Sequence, residues 1–246
     1  MALQPWRTGI ITRIVNETQN TRRFWIQVPE IENFDFTPGQ FVTLDLPIHE
    51  KPNKRWRSYS IASWPDGTNT FELLIVLLEG GLGTTYMFNE LSVGSELSLR
   101  GPQGVFVLPQ SIENDLYFIC TGTGIAPFRS MVHHIQNHHI PHKKIHLIFG
   151  TRVQNDLLYA DEMRQLEKEV EGFHYLPTLS REKWEGCCGY VHDVYENLVH
   201  QKMNGSGEVP PAKFYLCGWK VMIDEARQRI VQLGYDKKAI HLELYG

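Results

Sequence analysis

Two stretches of this chain combine residue types that can hold phosphate groups and pass hydrogen between bound molecules. In Thr121-Gly-Thr-Gly-Ile-Ala-Pro127 the glycines let backbone N–H groups approach a phosphate, and the helix expected to follow offers the positive end of its dipole. On its own this loop is weak evidence, because it lacks the third glycine of the dinucleotide fingerprint and also suits a plain tight turn. The second stretch is Arg57-Ser-Tyr-Ser-Ile61, followed some twenty residues on by Gly80-Gly-Leu-Gly-Thr-Thr85. An arginine, a glycine-rich turn, hydroxyls and a helix start make another anion site, and Tyr59 offers a flat face for stacking. Two anion sites in two halves of one chain imply two nucleotides.

The elements that must carry these residues change character near the middle of the chain. Up to about residue 100 the sequence reads as short β segments, Trp6 to Val15, Arg22 to Val28, Gln40 to Leu46, Arg57 to Ser63, Thr70 to Leu78 and Glu96 to Arg100, with one helix expected over Thr84 to Leu91. Each segment is rich in β-branched and aromatic residues and bounded by turn formers, which suggests an antiparallel barrel or sandwich. A connector rich in glycine and proline runs from Gly101 to Asn114. Beyond it strands and helices alternate: strands at Leu116 to Thr121, Ile145 to Gly150, His174 to Leu179, Phe214 to Cys217 and Ile240 to Leu244, and helices at Ala126 to Asn137, Ala160 to Glu169, His192 to His200 and Val221 to Gln232. That alternation requires right-handed crossovers and a parallel sheet covered on both faces. The expected architecture is therefore two-domain, an antiparallel β-barrel over residues 1–108 and a doubly wound α/β domain over 109–246.

Ligands of an open parallel sheet lie outside the carboxyl ends of its strands. The residues there are Gly122 to Pro127, Gly150-Thr-Arg152, Ser180-Arg181 and Cys217-Gly218-Trp219.

Composition narrows the function classes. A formal charge of -4 and a pI near 6.3 give no global attraction to nucleic acid. The longest apolar run, Leu73 to Leu78, is far short of the ~20 residues of a membrane span, and the first residues have no signal-peptide pattern. Hydrophobic residues at 42% and a mean hydropathy of -0.30 are those of a globular protein. Cys120, Cys187, Cys188 and Cys217 form no CxxC pair and no plant-type iron-sulfur spacing. A cytoplasmic location is expected, and the oligomeric state is left open with a monomer favoured.

Over its whole length the chain resembles the ferredoxin-NADP reductase superfamily. Arg57-x-Tyr59-Ser60 is similar to the family's flavin signature, Gly81-x-x-Thr84 to its pyrophosphate turn, Gly101-Pro-x-Gly104 to its interdomain turn and Gly122-Thr-Gly-Ile-Ala-Pro127 to its nicotinamide loop. Cys217-Gly218 and Glu243-Leu-Tyr245 complete the set in the family's order. The resemblance implies a Greek-key FAD-binding barrel followed by an NAD(P)-binding domain. It also implies hydride transfer between nicotinamide C4 and flavin N5, with single electrons then passed to a ferredoxin or flavodoxin.

The same resemblance implies roles. Arg57, Ser58, Tyr59, Ser60, Ile75, Val76, Gly81, Leu82, Gly83, Thr84, Thr123 and Tyr245 would contact FAD. Gly122, Thr123, Gly124, Pro127, Arg152, Ser180, Arg181, Cys217, Gly218 and Met222 would contact NADPH or NADH. Ser60, whose hydroxyl would reach N5, with Cys217 and Glu243 beside the nicotinamide, would be catalytic, and Glu243 would also relay a proton. Gly246 follows Tyr245, whereas plant-type members end on the aromatic residue; this tail looks more like bacterial oxygenase reductase components. Arg152, Ser180 and Arg181 suit a 2′-phosphate and tilt the balance toward NADPH. Glu182, Glu185 and the segment from Trp184 to Tyr190 speak for NADH.

Blander readings stand beside these. The run His133-His134 to His138-His139 and His142 is expected to be a solvated surface, with no metal assigned. Cys187-Cys188 reads as loop filler. Lys51, Lys54 and Arg55 form either a solvated loop or a docking patch for an acidic ferredoxin or flavodoxin. Alternative functions are an NADH-dependent oxygenase reductase, a free flavin or quinone reductase, and a noncatalytic FAD- and nucleotide-binding redox-sensing subunit.

Overall fold

The computed structural model describes residues 4–203 and 208–245. By their contacts they fall into two units, Met1–Val107 with Ala126–His134, and Leu108–Ile125 with Ile135–Gly246. No described helix is long and apolar enough to cross a membrane.

The first unit contains β1 (Arg7–Asn16), β2 (Thr21–Gln27), β3 (Phe41–Asp45), β4 (Trp56–Ser60), β5 (Thr70–Val76) and β6 (Glu96–Gln103). They pair antiparallel in the order β4-β3-β6-β1-β2-β5. A bridge between Ile61, just past β4, and Leu73 of β5 links the two edges, giving a Greek-key barrel. Its interior is apolar because alternate residues of each strand turn inward; Phe24, Ile26, Val42, Leu44, Phe71, Leu73 and Leu99 are all fully buried. Gly9 is small for a packing reason, since a Cβ there would lie 2.6 Å from Leu99 and 2.7 Å from Ile26.

One helix of this unit, α1 (Leu82–Asn89), places Met87 and Phe88 in the barrel core. It begins two residues earlier than its composition suggests. Gly81 takes the extended cap conformation, so the helical turn opens at Leu82 and Thr84 falls inside it.

The second unit has β7 (Asp115–Thr121), β8 (Ile145–Thr151), β9 (Phe173–Leu179), β10 (Cys187–Cys188), β11 (Ala212–Trp219) and β12 (Ile240–Tyr245). All pair parallel, in the order β10-β9-β8-β7-β11-β12. Leu116 to Cys120 and Ile145 to Gly150 are buried without alternation, as expected of central strands covered on both faces. The helices are α2 (Ala126–Asn137), α3 (Ala160–Glu169), α4 (Val191–Met203) and α5 (Lys220–Gln232); the first turns of α2 group with the barrel unit. On one face of the sheet Tyr117 stacks on Phe214 at 4.9 Å, and Tyr235 meets Phe214 edge-on at 4.6 Å.

Two of the bland sequence readings change. Cys187-Cys188 is an edge strand paired with Thr178 and Leu179, drawn in where the Thr178 hydroxyl donates to the Gly189 carbonyl at 3.1 Å and the Gly189 amide donates to the Leu179 carbonyl at 2.9 Å. His133 is half-buried and stacked on Trp64 with ring centroids 3.8 Å apart, so the histidine run is solvated only from His138 onward.

His146 of β8 is 4% exposed. Its Nε2 accepts from Lys202 Nζ at 3.1 Å, and its ring stacks on His174. Burial first, then the charge of Lys202 and the neighbouring His174, push its pKa down to about 3. The unfolded chain protonates this imidazole near its ordinary value of about 6.5, so the fold loses stability as pH falls below that value. The expected loss from His146 between pH 7 and pH 5 is about 2 kcal/mol. Urea unfolding at the two pH values measures it, and His146→Gln should remove that share while leaving any contribution of His192 and His241, both also lowered by burial.

Candidate functional site

In the barrel unit the chemistry collects on β4 and at the start of α1. Strand alternation puts Arg57 and Tyr59 on one side of β4 and Ser58 and Ser60 on the other. The Arg57 guanidinium donates from Nη1 to the carbonyls of Trp56 at 2.8 Å and Lys54 at 3.1 Å. Its stem lies against α1: a Cβ on Gly83 would be 3.0 Å from Arg57 Cγ and 3.2 Å from its Nε. A guanidinium and a helix N-terminus thus meet at one place, and the first turn of α1 carries no acidic residue. The amides of Leu82, Gly83 and Thr84 open the helix and have no intrahelical acceptor, so the place is built to receive an anion such as a pyrophosphate.

The Thr84 hydroxyl works inside this turn, accepting from the Leu78 amide at 3.1 Å and donating to the Gly81 carbonyl at 3.2 Å. Tyr59 is half-buried against the core, and burial pushes its phenol up to about 12, partly offset by Arg57; it stays protonated and uncharged at neutral pH. Ser60 is 3% exposed. Ser58 Oγ lies 3.1 Å from Thr43 Oγ1 on the opposite side. Ile75 is a core residue, while Val76 is half-buried at the end of β5. Of the cationic run before β4, Arg55 is held in a bidentate pair with Asp45, with both bonds at 2.7 Å, and Lys51 and Lys54 are exposed.

In the second unit the expected residues gather at the carboxyl ends of the strands. The 3-10 turn Gly122–Ile125 follows β7. It lies directly on the carboxyl end of β11: a Cβ on Gly124 would be 2.3 Å from the Cys217 carbonyl oxygen, and one on Gly218 would be 2.5 Å from Thr121 Oγ1. Gly122 and Gly218 have φ of 53° and 142°, values that favour glycine. Trp219, half exposed, donates its amide to Thr121 Oγ1 at 3.4 Å.

Cys217 pairs in register with Cys120 on one side and Glu243 on the other, so the three side chains share one face of the sheet at its carboxyl edge. Cys217 and Cys120 are fully buried, and Glu243 is half-buried. Burial and the neighbouring Cys217 push the Cys120 thiol up, which keeps it protonated and inert. The side chain of Tyr245 and residue Gly246 lie outside the described residues; the Tyr245 backbone pairs with Trp219.

The next two loops are stitched to each other. Ser180 and Arg181 donate their amides to the carbonyls of Thr151 and Arg152, both at 3.0 Å, so two exposed arginines stand on adjoining turns. The Ser180 hydroxyl donates to Thr151 O at 3.3 Å. Glu182 accepts the Gln154 amide at 2.7 Å, which engages its carboxylate locally. Pro127 is buried in the first turn of α2, where its missing N–H has no intrahelical role. Met222 packs inside the α4–α5 core cluster at 8% exposure.

Sequence reasoning passed over Arg129 and Glu72, both nearly inaccessible. The signal was present: Arg129 is the one charged residue in the apolar run from Ile125 to Val132, and Glu72 the one in Phe71 to Val76.

One unit with a glycine loop on a parallel sheet, and one with a barrel that presents an arginine and a helix start, define a two-nucleotide oxidoreductase. Residues 9–108 match the family described as oxidoreductase FAD-binding domain, and residues 118–228 match the oxidoreductase NAD-binding domain. The chain is 35% identical over 216 residues to ferredoxin-NADP reductase B of Sorangium cellulosum, covering 86% of both chains. It is 31% identical over 200 residues to the anthranilate 1,2-dioxygenase electron transfer component of Acinetobacter baylyi, covering 80% of this chain and 54% of that one. A solved ferredoxin NADP+ reductase from Neisseria gonorrhoeae with bound FAD and NADP shares the fold, with a TM-score of 0.80, 24% identity and coverage of 97% and 98%. The chain belongs to the ferredoxin-NADP reductase family of FAD-dependent, NAD(P)H-using oxidoreductases.

The contact of Gly124 with the Cys217 carbonyl makes the dinucleotide loop testable. Gly124→Ala should force the two loops apart at an overpacking cost of about 1–3 kcal/mol. NAD(P)H affinity should weaken by about tenfold or more, with the FAD content per chain unchanged. Isothermal titration of the FAD-loaded variant would contradict this if it returned the parent affinity.

Proposed function

We propose that this chain draws hydride from NADPH onto FAD and passes single electrons to a separate ferredoxin or flavodoxin. The observation that carries the reading is the in-register pair Cys217 and Glu243 beside the Gly122–Ile125 loop, in a chain that spans most of a ferredoxin-NADP reductase relative. FAD, when bound, supplies a two-electron acceptor for the hydride and a one-electron donor for the partner.

The remaining work belongs to the chain. Arg57 and the amides that open α1 bind the FAD pyrophosphate, through a planar donor fork and a positive helix end. Tyr59, uncharged at working pH, packs against the flavin rings. The Ser60 hydroxyl would offer a hydrogen bond to N5 of the bound flavin. Cys217 and Glu243 keep the nicotinamide in place by bulk and polarity, and the half-buried Glu243 carboxylate can pass a proton to solvent. Arg152 and Arg181 hold the 2′-phosphate of NADPH; the engagement of Glu182 by the Gln154 amide lessens the repulsion that its charge would otherwise exert. Lys51 and Lys54 offer an acidic partner a small cationic approach, and cytoplasmic operation suits such a partner.

A second reading, an oxygenase reductase component, is favoured by the similarity to the dioxygenase electron transfer component; this chain spans about half of that relative's length.

Anaerobic stopped-flow mixing of FAD-loaded protein with NADPH and NADH tests the proposal. Bleaching at about 450 nm should be faster with NADPH, and Arg181→Ala should narrow the difference. Ser60→Ala should slow the bleaching on the order of a hundredfold at unchanged FAD content. Turnover with free flavin or quinone but none with ferredoxin or flavodoxin would move the chain to a different acceptor class, and absence of bleaching with both nucleotides would refute the enzyme reading.

A further inference from the structure

The segment that follows Ser60 is held by a charged cluster that the mechanism above does not use. Glu72 of β5 is 2% exposed, and its carboxylate takes a bidentate pair from Arg23 of β2 at 2.6 and 3.0 Å. Arg129, in the second turn of α2, donates from the same Nη1 to Glu72 Oε2 at 3.1 Å and to the Ala62 carbonyl at 2.8 Å. Glu72 holds the same segment with its backbone. The Ala62 amide donates to the Glu72 carbonyl at 2.8 Å, and the Glu72 amide donates to Ser63 Oγ at 3.0 Å. Aromatic rings extend the cluster: Arg129 lies over Trp64, with 5.2 Å from its central carbon to the ring centre, and Trp64 is stacked in turn on His133.

Two physical points follow. A buried ion pair of this kind contributes little net stability over apolar residues of equal size, yet removing one member leaves an uncompensated charge. Such a cluster therefore has few alternative arrangements, and it fixes position more than it adds stability. Lysine is only a partial substitute for Arg129, because an ammonium keeps the charge but lacks the planar group that lies over Trp64 while its Nη1 serves the Ala62 carbonyl and the Glu72 carboxylate. The backbone it fixes is that of Ile61 to Ser63, the direct continuation of Ser60. The helix that carries Arg129 continues without a break from the Gly122–Ile125 turn.

We infer that Arg129 is a positioning residue for hydride transfer: by gripping Ala62 and Glu72 it sets where Ser60 and the start of α2 are held. The inference rests on the hydride-transfer reading and goes beyond it. Arg129 touches neither nucleotide in this account and acts only through the segment it holds. Reacting atoms must be placed to within a fraction of an ångström, and an error of about 1 Å can cost on the order of a hundredfold in rate.

The test compares full-length, FAD-loaded Arg129→Met and Arg129→Lys with the parent in anaerobic stopped flow at saturating NADPH. The amplitude of flavin bleaching counts the loaded, folded fraction, whereas the rate constant reports geometry within it. Arg129→Met is expected to lower the limiting rate constant about tenfold or more while the nucleotide concentration at half-maximal rate changes less than about threefold. Arg129→Lys should recover part of that loss. Hydrogen–deuterium exchange of the peptide spanning residues 61–63 should rise in the same order, and this readout needs no turnover. A parent rate constant in the loaded fraction of Arg129→Met, with only the amplitude reduced, would show a purely structural role and overturn the inference. If Arg129→Met yields no loaded protein, Arg129→Lys decides: a slowed rate constant supports positioning and a parent rate constant overturns it. Failure of the parent itself to bleach would sink the underlying reading, and a bleaching parent with unaltered variants sinks only the inference.

Discussion

The barrel unit is organised around a carboxylate that water does not reach. Glu72 sits in a strand whose residues from Phe71 to Val76 are otherwise apolar, and an isolated charge in that setting would cost several kcal/mol. The unit meets the cost by converging two guanidinium groups on it, Arg23 from β2 and Arg129 from α2. Arg23 is backed by Glu17 at 3.6 Å and lies over the Trp25 ring, which also receives Arg13 from its other neighbouring strand. Strand, helix and the segment after Ser60 are thereby tied to a single buried charge. Pairing of this strength confers order on the backbone next to the proposed flavin contact, where a looser apolar core would leave room for several arrangements.

A different constraint governs the parallel sheet. The end of β7 with its turn and the end of β11 approach each other more closely than any side chain allows, with Gly124 against the Cys217 carbonyl and Gly218 against Thr121. The glycines therefore do two things at once. They leave backbone amides uncovered for the proposed phosphate contact, and they let Cys217 remain at the carboxyl edge in register with Glu243. The aromatic stack of Tyr117, Phe214 and Tyr235 on the opposite face anchors the same central strands from below, so the edge chemistry rests on a packed support. Function of this kind, in which bound nucleotides carry the reaction, asks the protein chiefly for placement, and close backbone contact is how placement is obtained here.

Much of this organisation is legible in the chain itself. Alternating apolar and polar residues announce the barrel strands, continuous apolar runs announce β7 and β8, and the change between them announces two kinds of unit. Arg57, Tyr59, Ser60 and the glycine turns are local signals, because anion binding by a turn and the helix after it depends on residues close in sequence. Periodicity also places Cys217 and Glu243 at strand ends. What it leaves open is exemplified by Cys187-Cys188, whose short strand depends on hydrogen bonds to β9, and by His133, whose exposure depends on Trp64.

The sequence by itself determined the two-unit plan, the antiparallel and parallel sheets, and the residue types available to hold two nucleotides, since these follow from short-range pattern and turn chemistry. Only the tertiary structure decided that Gly83 lies on the Arg57 stem, that Arg55 is neutralised by Asp45 while Lys51 and Lys54 stay exposed, and that Glu72 and Arg129 meet at Ala62. Each of these depends on a contact between residues far apart along the chain, and on a barrel register that no local preference specifies; burial then decides which charges must pair and which remain in water.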